Sequence, residues 1–222
     1  IAALVYLLYL AFTQVEKAAR QKMFAAIVMI LFSVLFWGFY EQAGGSLNLY
    51  ALRNVDLGAF GGQDTAAAVN NSVNPLLVIL LSPVFAALWV WLSSRRMEPN
   101  TPVKFGLAFL QLALGFYMFI LGAQFADNGM VPIIYFILGY MFLSSGELCL
   151  SPIGLSMITK LSPAKLVGML MGAWFLASAF GQFVAGKVGA MMAMPTVDGE
   201  TTLPPAESLL IYSGVFKDIA YI

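Results

Sequence analysis

Five apolar runs, each long enough to cross a bilayer, decide what this chain can fold into. They are Met23 to Tyr40, Asn74 to Leu92, Val103 to Ala126, Met130 to Thr159 and Lys165 to Met194. Each meets the roughly 17–25 residues that a membrane helix needs. A further run opens near Leu209 and is still apolar at Ile222, and an earlier one, Ile1 to Phe12, is too short to span. That first run has no basic residue before it and no small-residue cleavage pattern after it, so it reads as the tail of a longer helix, not as a signal peptide. The chain thus reads as five full spans between two cut ends. Composition agrees: 61% of residues are hydrophobic and 10% charged, against about 45–50% and 25% in soluble domains. With so little polar surface, the bilayer must be the solvent.

The charges between the runs assign the sides. Lys17, Arg20 and Lys22, then Arg95, Arg96 and Lys104, then Lys160 and Lys165 occupy alternate loops. The other loops hold only Arg53 and Lys187 against Asp56, Asp64, Asp127, Asp198, Glu200 and Glu207. Basic loops stay cytoplasmic, so the odd-numbered loops lie inside. The longer loops, about 44–73 and 193–207, lie outside and read as irregular, being rich in Gly, Asn, Asp and Pro. Net charge is zero, so nothing points to nucleic acid as a partner.

Two glutamates stand where a lipid-facing helix would not tolerate them. Glu147 lies near the middle of its span, and at helical spacing it shares a face with Tyr140, Ser144, Ser151 and Gly154. A charged carboxylate at that depth costs at least ~2.5–3.5 kcal/mol, so it must meet a cavity, a partner or a proton. Its bland alternative is a protonated group joining helices through a hydrogen bond. Glu41 ends its run one turn after Trp37, and spacing leaves open whether it is interfacial or buried deeper. Asn74-Pro75 is either a helix cap and first turn or, if the helix starts near Thr65, a kink inside it. Pro83 and Pro152 interrupt other spans, as is tolerated where neighbours or cavities satisfy the freed backbone. In the span from Lys165, Gly168, Gly172, Ala177, Gly181 and Ala185 form small-residue rows suited to close helix packing, within the bundle or between copies. Trp174, Ser178 and Gln182 share another face of that span.

Other chemistries lack their residues. The chain has no histidine and one cysteine, Cys149, so imidazole metal sites, imidazole proton relays and an internal disulfide are excluded. Neither a phosphate-binding loop nor a nucleophile elbow occurs.

The run Phe36-Trp37-Gly38-Phe39-Tyr40-Glu41-Gln42-Ala43-Gly44-Gly45-Ser46-Leu47-Asn48-Leu49 resembles the seventh helix of the proton-dependent oligopeptide transporters, the POT family. Val73-Asn74-Pro75 resembles the family's eighth-helix Asn-Pro, and Ser145-Gly146-Glu147-Leu148-Cys149-Leu150-Ser151-Pro152-Ile153-Gly154-Leu155-Ser156 its tenth-helix motif. Gly172-Ala173-Trp174-Phe175-Leu176-Ala177-Ser178 is similar to its eleventh helix. The resemblance implies an all-α membrane protein: the C-terminal six-helix bundle of a major facilitator fold, truncated at both ends, of bacterial type. It implies that residues 1–13 end a helix inserted between the bundles, 14–22 are a cytoplasmic linker, and 23–222 are helices 7 to 11 and the start of 12.

The function implied is proton-coupled uptake of di- and tripeptides by alternating access across the bacterial inner membrane. Protons would be the coupling ion, with no other cofactor and no metal. By resemblance, Glu147 binds the peptide's amino group with Asn74 beside it, and Trp37, Trp174 and Ser178 line the pocket. Glu41 takes part in proton coupling and gating, as Glu147 also does. The family's helix-1 Glu-x-x-Glu-Arg motif and helix-4 lysine do not occur in this chain, so the site needs the N-terminal bundle as partner. Alternatives are a carrier of another solute, such as the nitrate-type relatives, and a non-transporting scaffold or channel subunit. An enzyme would need a nucleophile or metal cluster that the sequence lacks.

Overall fold

The computed structural model describes Tyr6, Tyr9, Thr13 and residues 17–197 and 200–221. The segment 1–13, read as the end of an inserted helix, therefore lies almost wholly outside the described residues. Helix α1, Lys17–Tyr40, is followed by a 3-10 turn, Glu41–Gly44, and a short helix α2, Ser46–Asn54. Then come α3, Ala66–Ser94, α4, Thr101–Ala123, α5, Ile133–Leu161, α6, Val167–Met191, and α7, Pro205–Tyr221. Five helical stretches among the described residues are long and apolar enough to cross a membrane.

These helices have no strongly polar face because lipid and core are equally apolar. On α1, Ala26, Ile30, Ser33, Phe36 and Tyr40 are buried, while Val28, Leu31, Phe32 and Leu35 stay exposed as lipid-facing groups. Caps follow local chemistry: the Asn100 side chain accepts from the Val103 amide at 3.0 Å, with Pro102 just inside α4.

Helix α3 begins at Ala66, which meets the second of the two alternatives for Asn74-Pro75: the helix starts near Thr65, and Pro75 and Pro83 both lie within it. The outer loop after Gly44 is not irregular, since α2 occupies much of it. Hydropathy hid both because their polar residues, Asn54, Asn70 and Asn74, find partners on other helices. α1 also begins at Lys17, within the stretch read as a linker.

Small residues set the close contacts. A Cβ on Gly139 of α5 would sit 2.1 Å from the Phe119 ring of α4, and one on Gly181 of α6 would sit 2.5 Å from Trp37 of α1. The row through Ala177 and Gly181 therefore packs within the bundle, whereas nothing lies within 4 Å of a Cβ at Gly168 or Gly172. Between these helices Tyr50, Phe116, Phe119, Phe136, Tyr212 and Phe216 form a continuous aromatic core.

Two polar features brace the ends. On the outer side Val55–Asp56 pairs in parallel with Val131–Pro132. Beside it, fully buried Asn54 donates to the carbonyls of Gly129 (2.9 Å) and Pro205 (2.7 Å) and accepts from Ser208 (2.8 Å). At the other end Lys104 is buried, 4.3 Å over the Trp89 ring, and its Nζ lies 2.6 Å from Glu98. Hydrogen bonds from Lys104 and Ser93 hold the Glu98 carboxyl below its ordinary value of 4.5. A depressed folded-state value stabilises the fold above the unfolded value and is lost as pH falls through the folded one. Thermal melts of the intact protein are therefore expected to show a Glu98→Gln penalty at neutral pH that vanishes in acid. A penalty independent of pH would contradict the pairing.

Candidate functional site

Three helices bring polar groups to one place. The Tyr40 hydroxyl, at the buried end of α1, donates to Glu147 Oε2 of α5. Asn74 of α3 accepts through its Oδ1 from Ser144 of α5 at 2.6 Å, one turn before Glu147. One turn outward, Tyr140 donates to Asn70 Oδ1 at 2.6 Å, and Asn70 in turn donates to the Ala43 carbonyl at 2.9 Å. The polar face read on α5 is thus where α3 and α1 dock. Each buried polar group on it has a partner, as a low-dielectric interior requires.

Glu147 is half-buried. Glu41 opens the 3-10 turn next to Gln182 of α6, within electrostatic range of Glu147. It borders a cleft of about 420 Å³ shared with Gln42, Ser46, Gln182 and Gly186. Gln42 fixes the turn: its amide donates to the carbonyls of Gly38 and Ala185 at 3.1 Å each and its Oε1 accepts from Ser46. The turn is thereby tied to α6.

The aromatic candidates divide. Trp37 meets Tyr40 edge-on, ring centroids 5.3 Å apart, and its indole N–H is buried without an acceptor among the described residues. That free donor stands one turn from Glu41. Trp174 packs into the notch at Gly154 and 6.3 Å from Phe105, so it lies two turns along α5 from Glu147. Ser178 is half-buried on the α6 face between Trp174 and Gln182. The structure therefore gathers Glu147, Asn74, Glu41 and Trp37 and sets Trp174 and Ser178 farther along one strip. Tyr40, Asn70 and Gln42 were not singled out in the sequence as site residues. Their signal, polar groups at the end of one span and the start of another, becomes interpretable only when the helices meet. Among the described residues no group of three or more His, Cys, Asp or Glu gathers to hold a metal.

The sequence profile described as "POT family" matches residues 2–205. The chain is 35% identical over 210 residues to dipeptide and tripeptide permease B of Salmonella typhimurium, covering 94% of this chain and 42% of that protein. It is 36% identical over 205 residues to dipeptide and tripeptide permease A of Cronobacter turicensis, covering 92% and 40%. The chain thus spans about two fifths of the length of these relatives. Among solved structures, peptide transporter POT in complex with sulfate superposes with TM-score 0.79 at 28% identity, over 99% of this chain and 42% of that one. A structure from work on substrate recognition in proton dependent oligopeptide transporters gives 0.75 at 31%, over 99% and 44%. The fold is the C-terminal six-helix bundle of the major facilitator architecture, in a multi-pass membrane protein. The chain belongs to the POT family.

Proposed function

We propose that the transporter containing this bundle is a proton-coupled symporter that takes up di- and tripeptides by alternating access across the bacterial inner membrane. The observation that carries the reading is Glu147, half-buried and held by Tyr40 of α1, with Asn74 of α3 bonded to Ser144 one turn before it on α5. A fixed carboxylate next to an amide matches a peptide's ammonium group, which forms charge-assisted hydrogen bonds to such an acceptor. Trp37, edge-on to Tyr40, and Trp174 and Ser178 extend the lining. Glu41, poised over the cleft and near Glu147, couples proton movement to the opening of the site. The N-terminal bundle of the same transporter closes the site and supplies the cations for the peptide carboxylate. Residues 1–13 end an inserted helix, 14–22 form the cytoplasmic linker, running into α1, and 23–222 make the C-terminal bundle. The protein is a carrier, not an enzyme, and protons are its coupling ion.

The test is uptake of a labelled dipeptide by the intact protein in proteoliposomes under an inward proton gradient. Accumulation suppressed by unlabelled di- and tripeptides, but not by nitrate or free amino acids, is the expected result, and no accumulation would overturn the reading. Glu41→Gln is expected to keep peptide exchange across the membrane while losing gradient-driven accumulation. Equal loss of both activities would remove Glu41 from coupling.

A further inference from the structure

We propose that the inner ends of α3 and α5 bind an anionic phospholipid of the cytoplasmic leaflet, with its phosphate on Arg95, Arg96 and Lys160 and an acyl chain along an exposed strip of α3. Arg95 and Arg96 follow directly on α3, and Lys160 lies in the last turn of α5. All three are exposed, and among the described residues none is in an ion pair. The stretches 65–126 and 148–197, which contain both helix ends, hold Glu98 as their only acidic residue. That carboxylate is already engaged by buried Lys104 at 2.6 Å, with Lys160 within electrostatic range of it. The surface cations thus outnumber the anions available to them, at the leaflet whose lipids carry negative charge.

The backbone at Arg96 points the same way. α3 ends in a Schellman turn: the Met97 amide donates to the Leu92 carbonyl at 2.9 Å and the Arg96 amide to the Ser93 carbonyl at 3.0 Å. The turn requires the left-handed conformation at Arg96, whose φ is 57°. Glycine adopts that conformation without a steric penalty, and a residue with a Cβ does not. Ending α3 therefore calls for glycine, and Arg95 already meets the negative end of the helix dipole. The side chain found at Arg96 serves something outside the helix. A guanidinium is the group that holds a phosphate through two parallel hydrogen bonds.

The apolar half of the site adjoins these cations. Arg95 lies over the exposed Trp91 ring, 5.2 Å from its centroid, and Trp beside Arg is typical of the membrane–water boundary. From Trp91, the side chains of Leu88, Val84 and Leu80 continue towards the bilayer centre along one face of α3, all exposed. Among the described residues none on α3 beyond Asn70 is buried. The strip points away from Trp89, over which Lys104 lies at 4.3 Å. It stands about a quarter turn around the helix from Asn74, the α3 residue that the N-terminal bundle covers on the function proposed above. A free phosphate would leave the strip bare, and a purely apolar ligand would leave the cations unmatched. A phospholipid carries both parts in one molecule.

The experiment takes the full-length transporter, delipidated in detergent, and titrates it with dioleoyl-phosphatidylglycerol or dioleoyl-phosphatidylcholine. Native mass spectrometry counts the bound lipids. Phosphatidylglycerol is expected to bind about tenfold more tightly. R95Q/R96Q is expected to remove that preference, whereas Lys22→Gln, on the same side but at the start of α1, is expected to keep it. Arg96→Gly is expected to weaken phosphatidylglycerol binding about fivefold with the melting temperature unchanged or raised, since glycine suits the backbone there. It keeps the test decisive if the double variant does not fold. Glycerol 1-phosphate, which has the anion without the chains, is expected not to displace the lipid. No preference for phosphatidylglycerol, a preference that survives R95Q/R96Q or falls equally in Lys22→Gln, or displacement by glycerol 1-phosphate would overturn the proposal. Peptide uptake is not read in this assay, so the transport reading stands or falls separately.

Discussion

Glu147→Gln in the intact transporter is expected to reduce proton-driven dipeptide uptake by one to two orders of magnitude while leaving the fold intact. The amide keeps the size of the carboxyl and an oxygen that can still accept from Tyr40, so the α1–α5 contact survives. What disappears is the negative charge that, on the function proposed above, faces the peptide ammonium. Hydrogen bonds to charged groups contribute about 1.5–3 kcal/mol, which corresponds to a roughly 10–150-fold loss in apparent affinity. Tyr40→Phe removes only the group that orients the carboxylate, and its effect is expected to be smaller. Binding of a labelled dipeptide and the melting temperature, measured together, check the account. Unchanged binding in Glu147→Gln would remove this residue from the site, and a large drop in melting temperature would make its role structural.

The second large effect is on stability. Asn54→Leu is expected to cost about 3 kcal/mol, because it strips the buried carbonyls of Gly129 and Pro205 of a donor and Ser208 of an acceptor. Ser208→Ala is expected to cost only about 1 kcal/mol, since Asn54 keeps both of its donated bonds. Thermal melts of the two variants in detergent measure the difference. Equal penalties would mean that the contact is mere packing.

Span count and helix type were legible in the sequence because a bilayer demands long apolar runs, and the runs from Val103, Met130 and Lys165 match α4, α5 and α6 closely. The start of α3 was legible only as one of two alternatives. Asn70, Asn71 and Ser72 look like loop residues until Asn70 is seen bonded to Ala43 and Tyr140. Helix α2 was missed for its polarity, although Leu47, Tyr50, Ala51 and Asn54, all buried, follow helical spacing that the sequence does display. The polar stripe through Tyr140, Ser144 and Glu147 could be read from periodicity on one helix. Its partners Tyr40, Asn70 and Asn74 could not, because pairings between helices leave no period in a single sequence.

The Asn54 junction also imposes an order in time. Its partners follow it by 75, 151 and 154 residues along the chain. At a synthesis rate of ~5–20 residues per second, the Pro205 carbonyl reaches Asn54 roughly 8–30 s after Asn54 is made. Through that interval Asn54 lacks its Pro205 and Ser208 partners, and the strand pair at Val55 cannot close before Val131 has been made. The outer seam is thus sealed only once α7 is being inserted, which makes its closure a natural checkpoint between a nascent chain and a finished bundle.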